Sequence, residues 1–364
     1  MSNRVYAPRV PFSVDRHAPR RGRLRPPLTL VLAGLTLACA DATTGGVADA
    51  GVRDPDAGPL FQTITLNGVG SPEPNVFDVW GTGTDQVFLV GERGLVMRGD
   101  GQTWTVEPTP TTADLRGVWG FEAPDPLGGP DPILEVYAVG TGGTVLRRVA
   151  GAWTEETSTT TKDLRSVRGR PGQRVWAAGV DGVIASRDLS MPSGTWELED
   201  SNTQETIHGL WIDEDGTGGA AVGNLGLVLR LEGRAWTRQR LDGLSQPFQG
   251  VWGTAPDRLW IVGLDGTILR SRGNAFDEIP GAPAVYLRRV VGLGFEDVWI
   301  TAWGGTILHV VGDQITTYST FSDHRLEGIW ATIERLPDPV VDGGIIERPR
   351  YYVVGVTGQV LIGP

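Results

Sequence analysis

Along most of this chain, short runs of alternating apolar and polar residues recur, rich in β-branched and aromatic side chains and bounded by Gly, Pro, Asp or Asn. Between Phe248 and Ile279 the runs are FQGVW, RLWIVG, GTILRS and AFDEI. Alternation at a period of two, broken by turn residues, predicts four short antiparallel strands in a meander.

The meander repeats. Trp252 superimposes on Trp80, Trp119, Arg168, Trp211, Val291 and Trp330, with successive spacings of 39, 49, 43, 41, 39 and 39 residues, which makes seven copies. The third strand returns as GLVMR, GTVLR, GVIAS, GLVLR, GTILR, GTILH and GQVLI, always with a leading glycine. A turn that requires positive φ explains that constancy, because glycine alone enters it without a Cβ penalty. The fourth strand opens on Trp104, Trp153, Trp196, Trp236, Phe276 and Ile315 in the first six copies, and the seventh stops at Pro364 without one.

The segment from Gly58 to Ile64, near the other end of the chain, matches the spacing of a fourth strand, with Gly58 at the place of Gly151 and Leu60 at that of Trp153. A four-stranded repeat at this period cannot bury its own faces and must stack on neighbours. The expected fold is therefore all-β: a seven-bladed β-propeller of four-stranded antiparallel blades, its last blade closed by the N-terminal strand. The expected organisation is a signal peptide over 1–38, a flexible tether over 39–58 and the propeller over 59–364.

Residues 1–27 hold seven Arg and one acid, and LTLVLAGLTLA follows before Cys39. Eleven apolar residues fit a secretory signal and fall short of the roughly 20 that span a bilayer. Cys39, the sole cysteine, sits in Leu37-Ala38-Cys39-Ala40-Asp41, which resembles a bacterial lipobox with Thr36 where Leu is usual. The expectation is an exported chain lipidated at Cys39, in the bacterial cell envelope as an outer-membrane or periplasm-facing lipoprotein, or otherwise secreted. Removal of residues 1–38 moves the net charge from -11 to -17, with 25 basic residues against 42 acidic. So acidic a body argues against nucleic acid as a partner, and membrane contact is expected only through the anchor.

Placed side by side, the first strands give one ring of residues at the Gln249 position: Phe77, Arg116, Arg165, His208, Gln249, Arg288 and Glu327. The next ring is Asp78, Gly117, Ser166, Gly209, Gly250, Arg289 and Gly328. Inner strands converge on the propeller axis, so small residues are expected where backbones crowd, and the polar ring before them should lie at a mouth of the channel. Trp303 lies outside the recurrent tryptophan slots, in a second-to-third-strand turn on the side expected to carry the ring. Insertions at Phe121 to Ile133 and Ile333 to Arg348, both between first and second strands, should emerge together on one face.

Other chemistry is thinly represented. Asp213 to Gly218 starts like a calcium loop, but Asn224 stands at the twelfth position, so a solvated turn is expected. No two histidines have metal-ligand spacing, and neither a metal nor a cofactor is expected. Asp100-Gly101-Gln102-Thr103-Trp104 resembles the Asp-box turn of sialidase-type propellers. Those enzymes pair an arginine triad with a tyrosine and a carboxylic acid, yet no tyrosine falls on the inner ring here.

The blade consensus of Leu-Arg, Val-Trp, Val-Gly, Gly-Thr-Ile-Leu-Arg, Gly and Trp resembles the photosystem II assembly-factor-like propellers, the broader Asp-box-like repeats, and secreted propeller lipoproteins of high-GC bacteria. In the assembly-factor family, arginines opening the first strands engage a client polypeptide, a role the resemblance implies for Arg116, Arg165 and Arg288. The Gly-His and Trp-Asp signature of WD repeats is absent. The expected function is non-enzymatic binding of a macromolecule, a polypeptide first, by a monomeric disc through Arg116, Arg165, His208, Gln249, Arg288, Glu327 and Trp303. Carbohydrate binding or adhesion is the first alternative, and a sialidase-like glycosidase or lyase the second.

Overall fold

A computed structural model describes residues 60–363, apart from 124–128, 130–131, 192–193, 214–217, 321–322 and 338–343. The expected leader, tether and Cys39 lie outside the described residues. Seven four-stranded antiparallel sheets follow one another, and in six of them the strands are neighbours in chain order. Blade one, for example, comprises Val76–Gly83, Gln86–Gly91, Val96–Gly99 and Trp104–Glu107. In the seventh, Leu326–Pro337, Ile345–Gly355 and Val360–Gly363 are completed by Gln62–Ile64, which pairs Gln62 with Ile362 and Ile64 with Val360. The ring is closed by its two ends, as the repeat arithmetic requires.

That register places Phe61 in the slot that Trp153 fills in blade two, one residue beyond the match of Gly58 to Gly151. Phe61 is buried edge-on against Trp299 of blade six, with ring centroids 5.8 Å apart. The core divides into seven apolar clusters, each shared by two adjacent blades. The cluster holding Leu66, Val76, Val79, Tyr352 and Val360 joins blade seven to blade one. Among the described residues no blade keeps a private core, which is why the repeats need one another.

The leading glycine of every third strand has positive φ: Gly94, Gly143, Gly182, Gly226, Gly266, Gly305 and Gly358. So does the residue before it, although that position is Arg93, Asp181, Leu225, Asp265 or Thr357 in five blades. Two successive left-handed residues make the primed turn that suits a twisted hairpin. Glycine is required at the second position for a further reason, since a Cβ on Gly143 would come within 2.0 Å of the Thr160 carbonyl oxygen. The first position faces open space and accepts side chains.

The described ends of the two insertions continue the ladders of their blades. Phe121 to Ala123 pairs with Ile133 to Glu135, and Ile333 to Pro337 pairs with Ile345 to Pro349, so in both blades the first and second strands run on into the insertion between them. The tryptophan slot is a pinwheel: a Cβ on Gly120 would meet the Trp80 ring at 2.8 Å, and Gly81, Gly169 and Gly292 stand in the same relation to Trp330, Trp119 and Trp252. Each of these indoles lies over a glycine of the next inner strand.

Candidate binding face

At the start of each inner strand the ladder slips by one residue. The shifts fall between Val76 and Asp78, Leu115 and Gly117, Leu164 and Ser166, Ile207 and Gly209, Phe248 and Gly250, Leu287 and Arg289, and Leu326 and Gly328. The skipped residues are the seven of the predicted ring. A β-bulge leaves its extra residue unpaired and re-aims its side chain, so these bulges direct seven side chains, three of them arginine, toward one another at one end of the channel. Close approach explains the small ring behind them: a Cβ on Gly328 would lie 3.0 Å from the Asp78 Cα, and one on Gly250 2.9 Å from the Arg288 carbonyl oxygen.

Three groupings result. The Arg116 guanidinium sits 4.0 Å over the Phe77 ring and donates to Asp114 at 3.0 Å. Arg165 Nη1 meets His208 Nδ1 at 3.4 Å, and His208 Nε2 meets Asn224 Oδ1 at 2.8 Å. Arg288 donates to Gln249 Oε1 and to Glu327 Oε2, both at 2.7 Å. Phe77, His208, Gln249 and Glu327 are buried, whereas Arg116, Arg165 and Arg288 are partly open.

The cup is cationic at its floor. Burial, then Arg288 and Arg116, depress the Arg165 pKa, so the three guanidiniums feel one another. Burial also holds the His208 imidazole at about 4, opposed by its bond to Asn224 and reinforced by Arg165, Arg288 and Arg289. Arg165 Nε, Arg288 Nε and Gln249 Nε2 are buried without a protein acceptor. Donors outnumber acceptors in this cup.

Trp303 stacks on Tyr286 with ring centroids 4.3 Å apart and an 11° tilt, and Arg325 approaches its ring to 5.2 Å. It remains 37% exposed. Tyr286 precedes the inner strand Leu287–Gly294, and burial raises its hydroxyl pKa while the adjacent Arg288 opposes the rise. Tyr286, Asn224, Asp114 and Arg325 are thus parts of this face that the first-strand alignment misses, because all lie in connections. Adjacency to the bulge, as in Asp114-Leu115-Arg116 and Tyr286-Leu287-Arg288, is the signal that finds two of them.

Two other features stand apart. Asp100 Oδ1 accepts from the backbone N–H groups of Gln102 and Thr103 at 2.9 and 2.7 Å, a closed turn whose hydrogen bonds lower its pKa. The Asp213 N–H donates to the Gly218 carbonyl at 3.1 Å, and residues 214–217 between them lie outside the described residues.

No protein-family model and no curated protein sequence matches this chain. Solved structures match in number, 1023 chains in all, so the fold by itself selects no function. YCF48 bound to a D1 peptide is 16% identical, with a TM-score of 0.61 over 85% of this chain and 96% of that one. YCF48 from Cyanidioschyzon merolae gives 16% and 0.61 over 84% and 98%. The WD40 propeller domain of Doa1 gives 11% and 0.61 over 83% and 94%.

Proposed function

We propose that this chain is an exported, lipid-anchored binding protein of the cell envelope that captures a polypeptide on the bulged face of its propeller. The observation that carries the reading is the convergence of seven bulged side chains into a donor-rich cup beside an exposed aromatic platform. A polypeptide presents carbonyl and carboxylate oxygens to such donors and side chains to Trp303. The rigid disc binds without chemistry and acts as a monomer. The likeness to YCF48 solved with a D1 peptide supports a polypeptide ligand.

The Trp303–Tyr286 stack is also a surface on which a sugar could lie, and this is the observation that favours the glycan reading. A glycosidase in this cup would need a tyrosine free to attack. Tyr137 is fully buried, hydrogen-bonded to Glu135 and to Arg187, and Tyr286 is stacked under Trp303.

The deciding experiment retains partners from envelope extract on wild-type protein and on a variant with Arg116, Arg165 and Arg288 replaced by Gln. The expected result is a polypeptide retained by the wild type alone, and equal retention would remove the ring from the reading. Binding on a glycan array in place of a polypeptide would favour the carbohydrate alternative, and turnover of an arrayed glycan the enzyme. Cys39→Ala should move the protein from the membrane to the soluble fraction.

A further inference from the structure

Beyond the small-residue ring, on the side away from the cup, the channel holds a cavity of about 250 Å³. Its wall carries the five indoles of the inner-strand slot, with Val291 and Arg168 at the slots of the other two blades. The pinwheel contact covers part of Trp80, Trp119, Trp252 and Trp330, and all five indoles remain only partly buried. These indoles supply much of the apolar part of the wall.

The polar part of the wall is cationic. Arg289 stands in the ring otherwise made mostly of Gly and Ser, surrounded by protein yet still reachable from the cavity. Its Nη1 donates to the carbonyls of Gln249 at 2.9 Å and His208 at 3.3 Å. Burial and the neighbouring Arg288 lower its pKa to about 10, so it remains charged at neutral pH. Arg168 Nη1 donates to the carbonyls of Val167 at 2.7 Å and Val118 at 3.3 Å. Asp78 attracts Arg289, but its carboxylate already accepts the Val118 N–H at 3.1 Å. Two guanidiniums are thus anchored by carbonyls, and each has further N–H groups than these bonds use.

We infer that this cavity binds a small organic anion with a flat aromatic body, its carboxylate held by Arg289 and Arg168 and its ring laid against the indoles. A guanidinium matches the geometry of a carboxylate, and aromatic faces give a planar ring most of its buried area. The volume suits one or two fused rings, below the range of typical drug-sized sites. This site is independent of the polypeptide reading, since it lies on the other side of the small-residue ring.

The test is calorimetric titration of the protein with naphthalene-2-carboxylate and with its neutral isostere naphthalene-2-carboxamide. The acid should bind at least about tenfold more tightly than the amide. Arg289→Ser, which installs the residue blade three has as Ser166, and Arg168→Trp, which restores the common slot residue, should each weaken the acid by about tenfold and leave the amide nearly unchanged. Equal binding of acid and amide by the wild type, or no binding of either, would overturn the inference without recourse to any variant. Unaltered acid binding by both folded variants would do the same.

Discussion

The Trp153 indole Nε1 donates to Glu107 Oε2 of the preceding blade at 2.7 Å. Trp196 does the same to Glu156 at 2.8 Å, and Trp236 to Glu199 at 2.7 Å, so three blade interfaces carry one latch. Glu107 ends its outer strand opposite Val96, and the residue in that place on the closing strand is Ile64, opposite Val360. Trp104 of blade one therefore meets no carboxylate, and its Nε1 is buried without a partner. The ring closes at the one interface among these where the latch has no acceptor.

A matched pair of substitutions follows. Trp153→Phe removes a hydrogen bond to a charged group and should lower the free energy of unfolding by about 2 kcal/mol. Trp104→Phe removes a donor that has no acceptor, and its cost should stay near the small loss of apolar area, about 0.5 kcal/mol. Urea denaturation of the two variants measures the difference. Equal costs would mean that the indole N–H contributes nothing at either site.

Closure itself can be isolated at one contact. A Cβ on Gly363 would come within 2.4 Å of the Phe61 ring, so the last strand leaves room there for the first. Phe61→Ala should cost on the order of 3 kcal/mol, and Gly363→Ala should be clearly destabilising in the wild type. In the Phe61→Ala background the added methyl has space, and Gly363→Ala should cost much less. A double-mutant cycle reads this coupling, and strict additivity would place the strand somewhere other than against Gly363.

How far the sequence discloses this molecule depends on whether a feature repeats. The Trp252 slot and the Gly266 turn recur seven times, so their period gives blade number, strand order and the need for Gln62–Ile64 to finish the last sheet. The ring of Arg116, Arg165 and Arg288 is legible as an alignment column, but the bulge that turns it inward is not. A slipped register leaves the alternation on either side intact and substitutes no diagnostic residue. Side-chain pairing is equally hidden: Arg288 reaches Glu327 from the next blade, 39 positions along the chain, and residue types at such a distance do not announce a partner. The insertions are legible as interruptions of the repeat, but the strand pairing at their described ends, such as Glu334 with Arg348 and Arg335 with Glu347, is not.

The Arg288–Glu327 pair is also a test of what holds the cup together. Glu327 is buried, and Arg288 keeps only a small part of its side chain open. Glu327→Gln leaves a cation facing a neutral amide among other arginines, and should cost on the order of 3 kcal/mol. Replacing both residues with Met should recover much of that loss, because no uncompensated charge remains. Thermal unfolding of the single and double variants distinguishes this from a simple packing role, in which the double variant would be the worse of the two.

His208 should make stability fall in acid. Its folded pKa is depressed to about 4 from an ordinary value of 6.5, so the native imidazole is neutral where the unfolded one begins to take up a proton. Between those two values the unfolded chain binds more protons, and stability declines as pH falls from 6.5 toward 4; the decline from this group ends below the folded pKa. The full loss amounts to roughly 3 kcal/mol. His208→Gln removes the titrating group, so the stability difference between wild type and variant should shrink or reverse over that interval and stay constant above pH 7. Urea denaturation at several pH values checks it, and a constant difference from pH 7 to pH 4 would mean that the buried imidazole protonates in the native cup as readily as in the open chain.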